Sequence, residues 1–226
     1  MATLAPLLPG LPALVSRHKG RRRCASTLAH GWTLTPLMRQ EPSPQLWDFL
    51  TFWYMRVRGE GEHASLWGEL GLSPSKFVLG FSAVPLILVH QQQLPWHQAE
   101  GLMMAVWLDD IVPGVRARLH QWVAPPYRHP RVSLTLGDTI LYYLFTEMGL
   151  QLLEGRTPCA NRLGIRYALR LGFHPVATLP YGEWDWTPEG TKTITPVVQS
   201  QLTIDTWRAS QEATPRGEED EYGQSL

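Results

Sequence analysis

The sequence predicts an α/β domain of the α+β kind, a mixed sheet with helices packed on it. Three observations carry that prediction. The segments run β, α, β, β, β, α, β, α, β, β, which is neither alternating βαβ throughout nor all-β. Hydrophobic residues make up 44 % of the 226 positions against 18 % charged, and 10 are Trp, so the chain has apolar area for a real, aromatic-heavy core. Proline and glycine punctuate the chain between short periodic segments, as loops do between packed elements.

Taken in order, Gly31 to Leu37 (GWTLTPL) alternates and predicts a first strand, broken by Pro42 and Pro44. Gln45 to Val57 carries Leu46, Phe49, Leu50, Trp53 and Val57 at helical spacing. A Gly/Glu loop at 59–62 precedes a short helix over Ala64 to Leu70. Phe77 to Phe81 and Leu86 to His90 read as strands split by Pro85, and Leu102 to Leu108 (LMMAVWL) as a buried strand. Asp109, Asp110, Pro113 and Gly114 have turn chemistry, and Arg116 to Val123 alternates as the next strand until Pro125 and Pro126. Leu136 to Met148 is helical, with Asp138 near its start and Gly149 as its cap. A strand over Leu150 to Gly155 leads to a helix over Asn161 to Leu171, stopped by Gly172. Phe173 to Leu179 and Pro196 to Thr206 are the last strands, joined by a Trp/Gly-rich connection at 181–195.

Charge marks the ends. Residues 1–40 hold Arg17, Lys19, Arg21, Arg22, Arg23 and Arg39 with no acid, and residues 218–221 read Glu-Glu-Asp-Glu. These ends predict a flexible basic segment at 1–30 and an acidic, disordered tail at 209–226 around a domain at 31–208. The head has two readings, a flexible arm and an organelle-targeting segment; its charges follow its apolar stretch, the reverse of a secretory signal. Net charge is zero and the head arginines lack interleaved aromatics, which argues against nucleic acid. No apolar run approaches a membrane span. Two cysteines, Cys24 and Cys159, make neither a disulfide framework nor a zinc pattern, and a reducing, cytoplasmic setting is expected.

Three segments in sequence resemble one known family. Asn161 to Phe173 (NRLGIRYALRLGF) is similar to the fourth-helix signature of the GNAT superfamily of N-acetyltransferases, in which an Asn opens a helix that ends in Leu-Gly-Phe. Val123 to Arg128 (VAPPYR) resembles the end of that family's fourth strand. Leu202 to Trp207 (LTIDTW) resembles the closing strand of its ribosomal-protein branch. The resemblance covers residues 31–208, is specific at 123–207, and implies a mostly antiparallel central sheet of about seven strands flanked by helices. Asn and Gly are also good helix caps in any protein, so the order of the motifs carries the weight.

The resemblance implies acetyl-CoA as the acyl donor and a primary amine, such as a protein N-terminus, as acceptor. It places cofactor contacts at Val123, Arg128, Arg131, Ser133 and Asn161. The family's pyrophosphate loop is glycine-rich, so that backbone N–H groups reach phosphate. Here Arg131 and Ser133 stand at the glycine positions and Pro130 removes an N–H, while His129 and Arg131 offer side chains instead. Ala168 stands where the family carries a tyrosine acid; Tyr167, one helical step away, is the second catalytic candidate, with a packing role as its other reading. His120 is the candidate base, with Glu100 and Glu154 as carboxylate alternatives, because imidazole titrates near neutrality. Tyr181, Trp184 and Trp186, with the charged tails, offer a surface for a protein partner. Two functions therefore stand: an N-acetyltransferase, and a GNAT-like domain kept for binding or assembly, for example in a phage virion.

Overall fold

In the computed structural model, described over residues 31–37, 43–59, 73–186 and 192–213, seven strands form one sheet. They are β1 (Trp32–Leu37), β2 (Leu86–Gln91), β3 (Leu102–Val112), β4 (Arg116–Val123), β5 (Leu152–Pro158), β6 (His174–Trp186) and β7 (Lys192–Thr203). The order across the sheet is β1-β2-β3-β4-β5-β7-β6, and every neighbouring pair is antiparallel except β4 with β5. Among the described residues five α-helices accompany it: α1 (Pro44–Gly59), α2 (Pro74–Ser82), α3 (Pro130–Tyr142), α4 (Arg162–Arg170) and α5 (Ile204–Ala213). The mixed, mostly antiparallel sheet with flanking helices is the architecture expected from the sequence.

The period of two sorts each strand between two cores. Ile87, Val89, Met104, Val106, Leu108, Ala117 and Leu153 pack with α3 and α5 on one face. Leu86, Leu88, Ala105 and Trp122 pack with Leu46, Phe49, Leu50, Trp53 and Val57 of α1 and Phe77, Val78 and Phe81 of α2 on the other. The α1 positions are those whose spacing predicted a helix. Gly172 stops the chain after α4 with φ 92°, a conformation that L side chains rarely adopt.

Several elements differ from expectation. Phe77 to Phe81 is helix α2, not a strand. Ser73 is its N-cap, accepting from the Lys76 N–H at 3.3 Å, and Pro74 occupies the first turn. Replacing Ser73 by alanine is expected to destabilise the fold by about 1 kcal/mol, read as a lower urea midpoint at unchanged slope. Helix α3 begins at Pro130 rather than at Leu136, because proline suits the first helical turn; Asp138 therefore lies mid-helix. The end of that helix, Tyr143–Glu147, is a π turn. Residues 181–186 and 192–195 are not a connection but the outer parts of the β6–β7 hairpin. The final strand stops at Thr203, whose hydroxyl accepts from the Thr206 N–H at 3.2 Å and opens α5, so Ile204 to Thr206 are helical and the fold runs to Ala213, past residue 208. The helix expected at 64–70, the basic head and the acidic residues 218–221 lie outside the described residues.

Candidate active site

The site originates where the one parallel pair fails. β4 and β5 pair only through Arg116 with Leu152, Ala117 with Leu153 and Arg118 with Glu154. Beyond these residues β4 stays on β3 up to Val123, while β5 pairs only with β7 up to Pro158. The two strands diverge. A cavity of about 570 Å³ fills the gap, lined among others by Trp107, His120, Gln121, Arg156, Asn161 and Tyr167. Strand alternation places Trp107 and His120 on the α1/α2 face, and Leu119 and Gln121 on the α3/α4 face. The cavity therefore opens through the sheet.

The divergence also frees backbone. The Ala124 N–H donates to the Met103 carbonyl at 2.9 Å. In an antiparallel ladder the hydrogen-bonding residues alternate. The peptide groups of Leu119, Gln121 and Val123 therefore turn away from β3, toward the space β5 has left. They form a strand edge that suits an extended ligand with amide groups. Arg128 already takes one of these acceptors: its Nε donates to the Val123 carbonyl at 3.0 Å.

On the α1/α2 face, His120 stacks on Trp107 with centroids 5.4 Å apart and planes 5° from parallel. Its Nε2 lies 3.1 Å from Asp109 Oδ2. Since the carboxylate is an acceptor, Nε2 is the donor of this pair. Asp109 also faces Arg118 at 3.6 Å, and Arg118 reaches Asp110 at 3.3 Å. Arg116 sits between Asp110 (3.7 Å) and Glu154 (3.5 Å), and Glu154 accepts from Gln201 Nε2 at 2.9 Å. The histidine is thus held by a stacked ring, a carboxylate and a chain of ion pairs behind it.

On the other face the start of α3 departs from a glycine cradle. Ser133 turns its hydroxyl back onto the carbonyls of His129 (3.2 Å) and Pro130 (3.3 Å), so it is not presented to a ligand. Its N–H already bonds to the His129 carbonyl. With Pro130 lacking a donor, the N–H groups of Arg131 and Val132 remain at the helix start, beside the exposed side chains of His129 and Arg131. Asn161 lines the cavity but acts as the N-cap of α4, its Oδ1 accepting from the Gly164 N–H at 2.9 Å, rather than bonding backbone where β5 leaves the sheet.

Tyr167 spans the two helices. Its hydroxyl donates to the Ser133 carbonyl at 3.0 Å. Burial holds the phenol well above its usual range; a hydrogen bond from Gln121 opposes that shift and the Asp138 charge adds to it. Its proton is therefore both retained and committed. The helices meet closely there because position 137 is glycine: a Cβ on it would lie 2.5 Å from the Tyr167 oxygen. Ala168 lines the cavity one position on.

His120, Tyr167 and Asn161 of the predicted residues thus share one cavity, while Val123 and Arg128 lie at the end of β4 and Arg131 and Ser133 at the start of α3. Of the alternative carboxylates, Glu154 is tied to Arg116 and Gln201, and Glu100 is exposed in a short 3-10 turn outside the cavity. Tyr181 is 82 % exposed, and the side chains of Trp184 and Trp186 lie outside the described residues. Asp109, read from sequence as part of a turn, belongs to β3 and orients His120. The signal for it was the hairpin itself: pairing across Pro113 and Gly114 sets Trp107 opposite His120 and Asp109 opposite Arg118. Gln121 and Arg156 were also missed.

A mostly antiparallel sheet that splays open at its one parallel pair defines the fold class, and solved structures are similar to it. No protein-family model and no curated protein matches the chain in sequence. Solved structures do match in fold. Spermidine N-acetyltransferase from Vibrio cholerae, in complex with CoA and spermine, superposes with a TM-score of 0.61 at 16 % identity, over 79 % of this chain and 99 % of that one. Ribosomal-protein-S5-alanine acetyltransferase from Vibrio fischeri gives 0.58 at 10 % identity, over 78 % and 95 %. The chain has the GNAT fold.

Proposed function

We propose that this protein transfers an acetyl group from acetyl-CoA to a primary amine. The observation that carries the reading is the cavity through the β4–β5 gap, with the His120–Asp109 pair on one face and the α3/α4 helices on the other. The free edge of β4 suits the amides of the pantetheine arm. The start of α3, with two backbone donors and the Arg131 guanidinium, suits the pyrophosphate. The donor thus lies along the α3/α4 face, and the amine approaches from the α1/α2 face.

The chemistry needs one proton acceptor. The amine nitrogen attacks the thioester carbonyl, the C–N bond forms, the C–S bond breaks, and the thiolate of CoA leaves. The Nδ1 lone pair of His120 takes the amine proton, and Asp109 stabilises the imidazolium that results. A backbone N–H of the β4 edge polarises the carbonyl. Tyr167 takes no part in this scheme, because its hydroxyl is bound to Ser133; it fixes the spacing of α3 and α4 instead.

Calorimetric titration with acetyl-CoA and CoA tests the reading. Micromolar binding is expected, weakened roughly tenfold by Arg131→Ala, which removes a charge-assisted contact to phosphate. No heat up to millimolar cofactor from a folded sample would overturn it. That outcome would support the second reading, a GNAT-fold domain retained for binding a protein partner. Its supporting observations are Pro130, the inward-turned Ser133 hydroxyl and the exposed Tyr181 ring.

A further inference from the structure

Among the described residues, no aspartate or glutamate lines the cavity. Three described acids near it on the α1/α2 face are engaged: Asp109 by His120 and Arg118, Asp110 by Arg118 and Arg116, and Glu154 by Arg116 and Gln201. A polyamine would bring several positive charges into a space with no counter-charge to meet them, and an unpaired charge in such a place is costly.

The cavity does hold an arginine. Arg156 lines it from β5, and its side chain has no hydrogen bond or ion pair with any described residue. Its position follows from register. Arg118 and Glu154 are the last pair across β4 and β5. Two residues further on each strand, and on the same face, stand His120 and Arg156. They confront each other across the widening gap, an imidazole base on one lip and a guanidinium on the other. Trp107, stacked under His120, adds an aromatic plane to the same side.

We infer that the acceptor carries its own carboxylate close to the reacting amine, as a free amino acid does, and that Arg156 binds this carboxylate while His120 receives the amine proton. The inference rests on the acetyltransferase reading and fixes its substrate class. A guanidinium binds a carboxylate through two parallel N–H groups, so the pairing sets orientation as well as affinity. The amine, a bond or two from the carboxylate, is then delivered to the His120 lip.

The probes are phenylalanine, phenylalanine amide, which lacks the negative charge, and spermine. Each is titrated calorimetrically into the protein alone and into the protein saturated with CoA, and each is assayed for CoA release from acetyl-CoA. Phenylalanine is expected to bind and to turn over with a kcat/KM about 10–100-fold above that of its amide, with spermine at or below the amide. Arg156→Gln should remove that preference, raise the KM for phenylalanine by about the same factor, and leave CoA affinity within about twofold. Equal use of acid and amide, preference for spermine, or absence of phenylalanine binding to a protein that binds CoA would overturn the inference. So would a loss of CoA affinity in the Arg156→Gln protein, which would assign the guanidinium to a cofactor phosphate. Failure of CoA itself to bind is a separate result, and sinks the acetyltransferase reading first.

Discussion

Replacing His120 by glutamine is expected to lower kcat/KM for acetyl transfer by about 10²–10⁴-fold, the span general-base removal produces, without weakening CoA binding. Glutamine keeps a donor for Asp109 and a planar group over Trp107, so the architecture of the face survives. What disappears is a nitrogen lone pair basic enough to take the amine proton. The loss should fall on kcat, because the His120 side chain stands on the α1/α2 face, while the donor lies along the α3/α4 face. Asp109→Asn should fall between wild type and the His120 variant, since asparagine can still hold the ring but cannot offset its charge. The readouts are steady-state CoA release and calorimetric CoA affinity on one sample, with a thermal unfolding midpoint as control. Activity within threefold of wild type would remove His120 from the mechanism. It would turn attention to bulk water as the proton acceptor, because the nearest carboxylates are bound to arginines.

What the sequence disclosed and what it concealed follow from the range of each interaction. Asn161 and Gly172 were legible because a helix cap and a helix stop are local chemistry, decided within four residues. The Leu46–Val57 stripe was legible because a helical period needs no partner to be seen. Phe77 to Phe81 was not, since a five-residue apolar run fits a strand or one and a half turns of helix; Ser73 and Pro74, the deciding residues, stand just before it. Pro130 was read only as a missing N–H, and the helix was begun at Leu136, although the first turn of a helix accepts proline. The carboxylate partner of His120 depended on register: Asp109 is eleven positions away in sequence and adjacent only once β3 and β4 pair. Arg156 was the hardest to foresee, for its meaning comes from a strand that leaves its neighbour, and nothing in an alternating segment announces where pairing stops.

Trp53→Ala is expected to destabilise the protein by about 3–5 kcal/mol, the cost of truncating a fully buried tryptophan in a core that relaxes only in part. Trp53 is 0 % exposed and stands at the centre of the α1/α2 layer. Its ring lies 5.1 Å from Phe81, 5.5 Å from Phe77, 5.8 Å from Trp122 and 6.3 Å from Trp107, so it binds both helices to the sheet at once. For a domain of this size that loss lowers the unfolding midpoint by roughly 6–20 °C. It is also a sizeable share of the 5–15 kcal/mol that typically holds a domain together. Trp53→Phe keeps an aromatic plane and most of the buried area, and should give back more than half of the difference. The same change reaches the site, because Trp107 is packed on Trp53 from one side and supports His120 from the other. In Trp53→Ala, measured well below its midpoint, kcat should therefore fall several-fold while CoA affinity holds, the donor lying along the opposite, α3/α4 face. A midpoint within about 2 °C of wild type would mean that α1 and α2 are not docked through this ring, and the acceptor face would then have to be drawn again from its foundations.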